Sequence, residues 1–276
     1  MTRISELICD IDADQLRDQV RAATPYPFFC IDNFLDPDFA RQVVQCYPDL
    51  QSAGKMGKSF NAVNEKGKVQ ITDSNLFAPP VKQLNDLLAS QPFLDLMSYA
   101  MEIPKLVADP ELIGGGMHQT GPRGHLDVHV DFNYIEQRDL HRRLNILVYL
   151  NEGWKPEWGG EFELWDKDVK VRKQAFSPIF NRCVVFETNQ ISFHGVSAVT
   201  CPPDTVRRSF AAYYYTKEPP RHWTGEKHTT IFRSRPNERF KRYVSMPAER
   251  AVKAVRQMIA SGVKRIAGGK VKNAGK

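Results

Sequence analysis

The sequence lacks the long apolar segment that a membrane-spanning helix requires. Apolar runs such as residues 146–150 are far shorter than the roughly 20 residues needed to cross a bilayer. The N-terminal residues contain no apolar core of the kind found in signal peptides. These two absences argue against a membrane-embedded or secreted protein, and we expect a cytoplasmic one.

Cysteine is also scarce. The chain has five cysteines, an odd number scattered along the sequence, and none of them forms a Cys-x-x-Cys pair. This distribution argues against a disulfide framework and against a zinc knuckle. We expect reduced thiols that pack as small apolar side chains.

The excess of positive charge lies at the C-terminal end. The formal net charge is +6, but residues 250–276 contain eight Lys or Arg and no acid; subtracting those eight leaves −2 for residues 1–249. A slightly acidic body argues against a basic nucleic-acid-binding face, so we predict no nucleic-acid partner. Residues 247–266 place apolar side chains on one stripe of a basic helix, which we expect to pack on the domain. The alternative is weak contact of residues 250–276 with an anionic membrane surface.

The order of apolar and turn-forming residues predicts a mainly β core preceded by helices. Before about residue 110 the pattern is helical; Asp36-Pro37, for example, is an N-cap followed by a proline at the first helical position. From Gly114 onward, short β-type runs are bounded by Gly, Pro, Asn and Asp. Such a series of short strands predicts a double-stranded β-helix (jelly roll) with N-terminal helices packed on it and a C-terminal helical extension. The predicted strands are residues 125–132, 144–151, 161–165, 183–187, 191–194 and 209–216.

These patterns divide the chain into three parts. Residues 1–110 form a helical part of the same domain, residues 111–217 the β-helix core, and residues 218–276 a C-terminal extension. Within the first part, the Gly-, Lys- and Asn-rich residues 54–67 predict a loop. The sequence does not indicate an oligomeric state.

Residues 125–132 alternate strictly between polar and apolar side chains. A strand here would put His125, Asp127, His129 and Asp131 on one face. The two His-x-Asp pairs lie roughly 13 Å apart along a strand, so both cannot bind one ion. With His194 as a third ligand, either pair would give the two imidazoles and one carboxylate of a non-haem iron site. The alternative is a solvated polar strand face.

Four further segments carry a family resemblance. His129-Val-Asp131 is followed by a strand that ends Tyr149-Leu-Asn and then by a Gly-Gly turn. The other segments are His194-Gly-Val, Arg207-Arg-Ser-Phe-Ala-Ala-Tyr-Tyr-Tyr and Pro27-Phe-Phe-Cys-Ile-Asp-Asn-Phe-Leu. Together, residues 25–217 resemble the Fe(II)- and 2-oxoglutarate-dependent dioxygenases, specifically the prolyl 4-hydroxylase-like branch.

The resemblance implies roles for individual residues. It makes His129, Asp131 and His194 the catalytic iron ligands, because the spacing to the next strand fits when counted from Asp131. It assigns binding of 2-oxoglutarate to Arg207 and Ser209, helped by Tyr149 and Asn145. The residues expected to contact substrate are His118, Gln119, His125 and Asp127.

The resemblance also implies the reaction. We expect hydroxylation of an unactivated C–H bond with release of succinate and CO2, using Fe(II), 2-oxoglutarate and O2, with ascorbate as a reductant. The substrate would be a prolyl or other amino-acid residue, or a small polar metabolite or sugar. Because Asp131 is present, halogenation is disfavoured. The alternative is a non-catalytic metal- or ligand-binding β-helix protein, against which the predicted carboxylate clamp of Arg207, Ser209 and Tyr149 argues. A zinc hydrolase would need a general base that the sequence does not offer.

Overall fold

The computed structural model describes residues 6–221, 223–238 and 240–248. The chain forms two compact units, residues 1–233 and residues 234–276. In the described part of the second unit, Lys241–Ser245 forms a π-helical turn. The basic helix predicted for residues 247–266 lies almost wholly outside the described residues. No helix among the described residues is long and apolar enough to cross a membrane.

Five helices of the first unit precede the main β-sheet strands, and their ends follow local sequence signals. The side chains of Asp12, Asp36 and Asp49 cap the first three helices by accepting backbone N–H bonds. The next two carry a proline in the first turn, where its missing N–H costs nothing. The helices are α1 (Ala13–Ala22), α2 (Pro37–Gln45), α3 (Leu50–Met56), α4 (Pro79–Leu88) and α5 (Gln91–Ala100).

Thirteen described strands form one curled sheet in which the pairings are antiparallel. The hydrogen-bonded order is β1-β10-β7-β12-β5-β11-β8-β9, with the other strands attached to this path. The strands are β1 (Phe28–Asp32), β2 (Lys58–Asn61), β3 (Glu65–Ile71), β4 (Val107–Ala108), β5 (Gly116–Val130), β6 (Tyr134–Ile135), β7 (Leu140–Tyr149), β8 (Phe162–Trp165), β9 (Arg172–Phe176), β10 (Arg182–Glu187), β11 (His194–Val196), β12 (Arg207–Thr216) and β13 (Ile231–Arg233).

The long strand β5 joins the two halves of the sheet. Its first part, residues 116–120, pairs with β12, whereas residues 126–130 pair with β11 and β13. Apolar side chains of β7, β10 and β12 share one buried cluster with the helices. The prediction of a double-stranded β-helix with N-terminal helices packed on it is confirmed.

Residues 54–67 are not the loop that the sequence predicts. The end of α3 is followed by the hairpin β2–β3, and β3 pairs along its length with β5. The glycines permit this pairing: Gly67 has φ +65°, and a Cβ there would lie 3.0 Å from the Cα of Gly124. Glycine in this segment therefore does not mark a loop; it allows the backbone of β3 to lie close to that of β5.

Candidate active site

Three candidate metal ligands meet where β5 and β11 run side by side. His129 lies in β5 directly opposite His194 of β11, and Asp131 follows the end of β5. The Nε2 atom of His129 is 3.5 Å from Oδ1 of Asp131, and Nε2 of His194 is 3.4 Å from Oδ2. One ligand atom from each residue lies within 4.8 Å of the others. Antiparallel pairing thus brings together residues 65 positions apart in the sequence.

Both imidazoles are oriented to present a lone pair to a metal. Nδ1 of His129 lies 2.8 Å from the carbonyl oxygen of Asp127, and Nδ1 of His194 lies 2.8 Å from that of Ser192. Because a carbonyl oxygen only accepts, each Nδ1 carries the proton and each Nε2 remains a metal ligand. Burial and the neighbouring His129 lower the pKa of His194 to about 3, so this ring stays neutral.

The carboxylate of Asp131 is held by two buried side chains. Its Oδ2 accepts a hydrogen bond from Nδ2 of Asn145, at 2.8 Å, and forms an ion pair with Nη2 of Arg142, at 3.0 Å. Oδ1 of Asn145 in turn accepts from Nε and Nη2 of Arg142, at 3.0 and 2.8 Å. Burial alone would raise the pKa of Asp131, but Arg142 and the two imidazoles hold it well below its usual range. The contacts from Asn145 and Arg142 are both made to Oδ2 of Asp131 and not to Oδ1.

A β-bulge brings Arg142 to this carboxylate. In the pairing of β7 with β12, Leu144 lies opposite Tyr214 and Arg142 opposite Tyr215, so Arg143 is an extra residue. The bulge turns Arg142 onto the strand face that also carries Asn145. Its guanidinium carbon lies 3.7 Å from the centre of the Tyr213 ring. Arg142 was not among the residues predicted from sequence; the available signal was a pair of adjacent arginines at the start of a buried strand.

Arg207 forms a cationic cradle in the same cavity. The side chain is buried, and its Nε donates to the carbonyl oxygen of Gly160 at 2.7 Å. Its guanidinium carbon lies 5.0 Å from the Tyr149 ring centre, and the buried Tyr149 hydroxyl has no hydrogen-bond partner within the described part of the chain. Ser209 pairs with Tyr149 across the strands. No carboxylate among the described residues lies within 4 Å of Arg207, so an anionic ligand would complete the cradle.

The candidate metal ligands and this cradle line one cavity. Its wall includes His129, Asp131 and His194 together with Arg207 and Tyr149. Ser209 and Asn145 line it as well. Asn145, which the resemblance implies as a 2-oxoglutarate contact, is engaged in this structure with Asp131 and Arg142. The donors therefore fit both a divalent iron and the carboxylate of 2-oxoglutarate.

The predicted substrate residues His118 and Gln119 separate to opposite faces of β5. His118 lines the cavity, with Nε2 at 3.0 Å from the carbonyl oxygen of Gly114, and burial together with Lys68 lowers its pKa well below the usual range. Gln119 is buried away from the cavity and donates to the carbonyl oxygen of Pro48 at 2.8 Å. Gln119 therefore does not reach the cavity with His118, because consecutive strand residues alternate between faces.

The second His-x-Asp pair fastens the β2–β3 hairpin. Nε2 of His125 lies 3.2 Å from the carbonyl oxygen of Val63, and the backbone N–H of Asp127 donates to the carbonyl oxygen of Asn64 at 2.8 Å. His125 also lines the cavity, whereas Asp127 is fully buried and does not. Of the two residues expected to contact substrate here, the structure thus brings His125 to the cavity and not Asp127.

The C-terminal end of the first unit covers the outer edge of β5. Strand β13 pairs with residues 128–130, and the ring centre of Phe232 lies 5.3 Å from that of His129. The sequence analysis did not find β13, which has only three residues, two of them exposed. Short exposed strands carry little periodicity, so no local signal was available.

A second, larger groove has Arg142 in its lining, and Arg142 also forms an ion pair with Asp131. The groove has a volume of about 1070 Å³, and Arg143, Thr188 and Trp223 also line it. It runs past the ends of β7, β10 and β12, and no described residue lines both this groove and the cavity of the candidate metal ligands.

Comparisons with known proteins place this geometry in context. A family model described as the 2OG-Fe(II) oxygenase superfamily matches residues 115–215. Among curated proteins, "Prolyl 3-hydroxylase OGFOD1" of Mus musculus is 32% identical over 78 residues, which are 27% of this chain and 14% of that protein. The chain thus matches only a small part of that relative's length.

Solved structures share the fold at low sequence identity. A prolyl-4-hydroxylase of Pseudomonas putida superposes with a TM-score of 0.55, 16% identity and coverage of 75% of this chain and 100% of that one. A prolyl hydroxylase of Trichoplax adhaerens, solved with a hypoxia inducible factor peptide fragment, superposes with a TM-score of 0.52 and 19% identity, covering 74% of this chain and 89% of that one. The α-ketoglutarate-dependent carbocyclase SnoK superposes with a TM-score of 0.52 and 11% identity, covering 83% of this chain and 89% of that one. The shared fold accommodates more than one reaction.

Proposed function

We propose that the chain is a 2OG-Fe(II) oxygenase that hydroxylates a prolyl residue of a polypeptide while 2-oxoglutarate is converted to succinate and CO2. The observation that carries this proposal is the shared cavity, in which a His-Asp-His triad lies beside a buried arginine that lacks an anion. A protein that only binds a metal has no need of this carboxylate cradle. The non-catalytic alternative is therefore not favoured.

Each residue of the cavity has a distinct part in the proposed reaction. His129, Asp131 and His194 would hold Fe(II). The two Nη atoms of Arg207 would bind the distal carboxylate of 2-oxoglutarate, since its Nε is already bonded to Gly160. Bound iron, with 2-oxoglutarate and O2, supplies the oxidising chemistry, and the protein contributes binding, orientation and exclusion of water.

The proposed substrate rests on the relatives and on the groove. Three of the similar proteins are named prolyl hydroxylases, and the names of two of them specify different carbons, 3 and 4, so we propose the residue type and not the carbon. The groove of about 1070 Å³ is larger than a single amino acid requires and passes directly beside Arg142. A polypeptide lying in it would bring one residue to the iron site.

The cofactor chemistry can be tested without knowing the substrate. Anaerobic addition of Fe(II) and 2-oxoglutarate to the whole protein should produce a visible charge-transfer band, and admission of O2 should yield succinate. Arg207→Gln should weaken 2-oxoglutarate binding roughly 10- to 100-fold, because a charge-assisted ion pair is lost. The adjacent Arg208 does not line the cavity, so Arg208→Gln is the matched control.

The substrate class requires a separate measurement. A pool of proline-containing peptides should gain the mass of one oxygen only when Fe(II), 2-oxoglutarate and O2 are all present. Asp131→Ala should abolish this gain. Succinate formation without any modified peptide, even at high peptide concentration, would reject a polypeptide substrate and leave a small molecule as the target.

A further inference from the structure

Arg143 lies on the floor of the groove with an incompletely paired charge. Its Nη1 donates to Oγ1 of Thr216 at 3.2 Å, but Nη2 is 4.0 Å from the nearest carboxylate oxygen, that of Glu187. Its Nε has no hydrogen-bond partner among residues whose positions are described, and 12% of the side chain is exposed. Burial lowers the pKa of Arg143, only partly offset by Glu187.

Thr188 adds a second unsatisfied group beside this guanidinium. Its backbone N–H donates to the carbonyl oxygen of Arg143 at 2.8 Å, while its buried hydroxyl finds no acceptor or donor in the described chain. Both residues line the groove. Buried polar groups are rarely left unpaired, so a site of this kind calls for a ligand with strong acceptors. A carboxylate offers two such oxygens and the opposite charge.

We propose that Arg143 and Thr188 form a carboxylate subsite that receives an Asp or Glu side chain of the polypeptide substrate. This inference rests on the proposed function and adds to it a preference for an acidic residue near the hydroxylated prolyl. The bulge places Arg142 against Asp131 and its neighbour Arg143 in the groove. Because Arg142 and Arg143 are adjacent in β7, the acidic residue is expected within a few residues of the hydroxylated prolyl.

Most of the other cations that line the groove already lie close to a carboxylate. Arg142 is engaged by Asp131, Arg21 by Glu102, and Lys105 by Glu218. Arg221 also lines the groove and acts on Glu102 at longer range. Glu187 is the acid nearest to Arg143, and it competes with an incoming carboxylate. Substitutions on the two sides of this contact should therefore change the affinity for an acidic peptide in opposite directions.

The experiment compares matched peptides on the whole protein, loaded anaerobically with Fe(II) and 2-oxoglutarate. Fluorescein-labelled peptides contain one proline in a Gly/Ser/Ala background, with Asp or Asn placed at each position from two to four residues away on either side. Fluorescence anisotropy should show the Asp form binding roughly tenfold more tightly than the Asn form at one position. This comparison uses the wild-type protein and does not depend on any variant folding.

Variants then assign the preference to the subsite. Arg143→Gln should remove the tenfold difference, Thr188→Val should reduce it, and Glu187→Gln should enlarge it. Arg41 is an exposed arginine of α2 outside the groove, so Arg41→Gln should leave the difference unchanged. An Asp preference that persists in Arg143→Gln would overturn the assignment.

Hydroxylation of the same peptides, followed by mass after O2 is admitted, separates the two proposals. Hydroxylation with equal binding of Asp and Asn forms at every position would refute the subsite and leave prolyl hydroxylation standing. An Asp preference without hydroxylation would refute prolyl hydroxylation and leave the anion subsite. If the peptides showed no Asp preference and were not hydroxylated, both proposals would be refuted.

Discussion

The hydrogen bond from Asn145 to Asp131 predicts a selective effect on iron. In Asn145→Leu, Oδ2 of Asp131 loses a donor at 2.8 Å and Arg142 loses its second acceptor. A hydrogen bond to a charged group contributes about 1.5–3 kcal/mol, and removal of such supporting partners typically lowers metal affinity about 10- to 100-fold. Part of the loss is offset because Arg142 still binds Asp131. We therefore expect Fe(II) to bind roughly tenfold more weakly, equivalent to about 1.4 kcal/mol.

The assay must distinguish this effect from loss of 2-oxoglutarate. The charge-transfer band is titrated with Fe(II) at saturating 2-oxoglutarate, and with 2-oxoglutarate at saturating Fe(II). Asn145→Leu should shift only the first titration, whereas Arg207→Gln should shift only the second. If Asn145→Leu weakened 2-oxoglutarate and left Fe(II) binding unchanged, Asn145 would be the cosubstrate contact implied by the family resemblance, and the argument from its contacts would be refuted.

Two further predictions concern acid stability and the arginine cradle. His118 is buried with a depressed pKa, so the unfolded state binds more protons; the metal-free protein should lose up to about 1.36 kcal/mol of unfolding free energy per pH unit below about 6.5. Denaturant unfolding at pH 7 and pH 5.5 should show a smaller loss in His118→Gln; an equal loss would exclude His118 as a source. Gly160→Ala should weaken 2-oxoglutarate binding roughly tenfold, since its Cβ would lie 2.9 Å from Cδ of Arg207. Gly153→Ala is the control, because it has a similar positive φ and open space around it, and equal effects of the two would indicate backbone strain alone.

The residues found from sequence are those with a strong local pattern. Strict alternation in residues 125–132 identified a strand with polar residues on one face, and the family resemblance selected His129 and Asp131 within it. His194 was a candidate third ligand before the resemblance supported it, Arg207 came from the resemblance, and the structure brings both to the cavity. Alternation alone could not distinguish the two His-x-Asp pairs, because they differ in the distant segments that they contact. The first pair contacts the β2–β3 hairpin, and the second lies beside His194.

The errors arise where distant segments meet. Asp127 is buried where β5 pairs with the β2–β3 hairpin, and residues 54–67 were expected to form a loop. Strand alternation places His118 and Gln119 on opposite faces of β5, but the structure was needed to show which of the two faces the cavity. Strand β13 has three residues and is stabilised by pairing with β5, which no local propensity records.

The bulge at Arg143 connects the metal site with the groove. In a regular strand, Arg143 would share the face of Asn145, and Arg142 would point away from Asp131. One extra residue reverses this arrangement, so that Arg142 binds the carboxylate of the candidate metal ligand Asp131 while Arg143 contributes to the groove. Two adjacent cations thereby serve separate anions, Asp131 and the proposed substrate carboxylate, without facing each other on one side of the strand. The sequence pair Arg-Arg cannot reveal this division, because it depends on a register shift against β12.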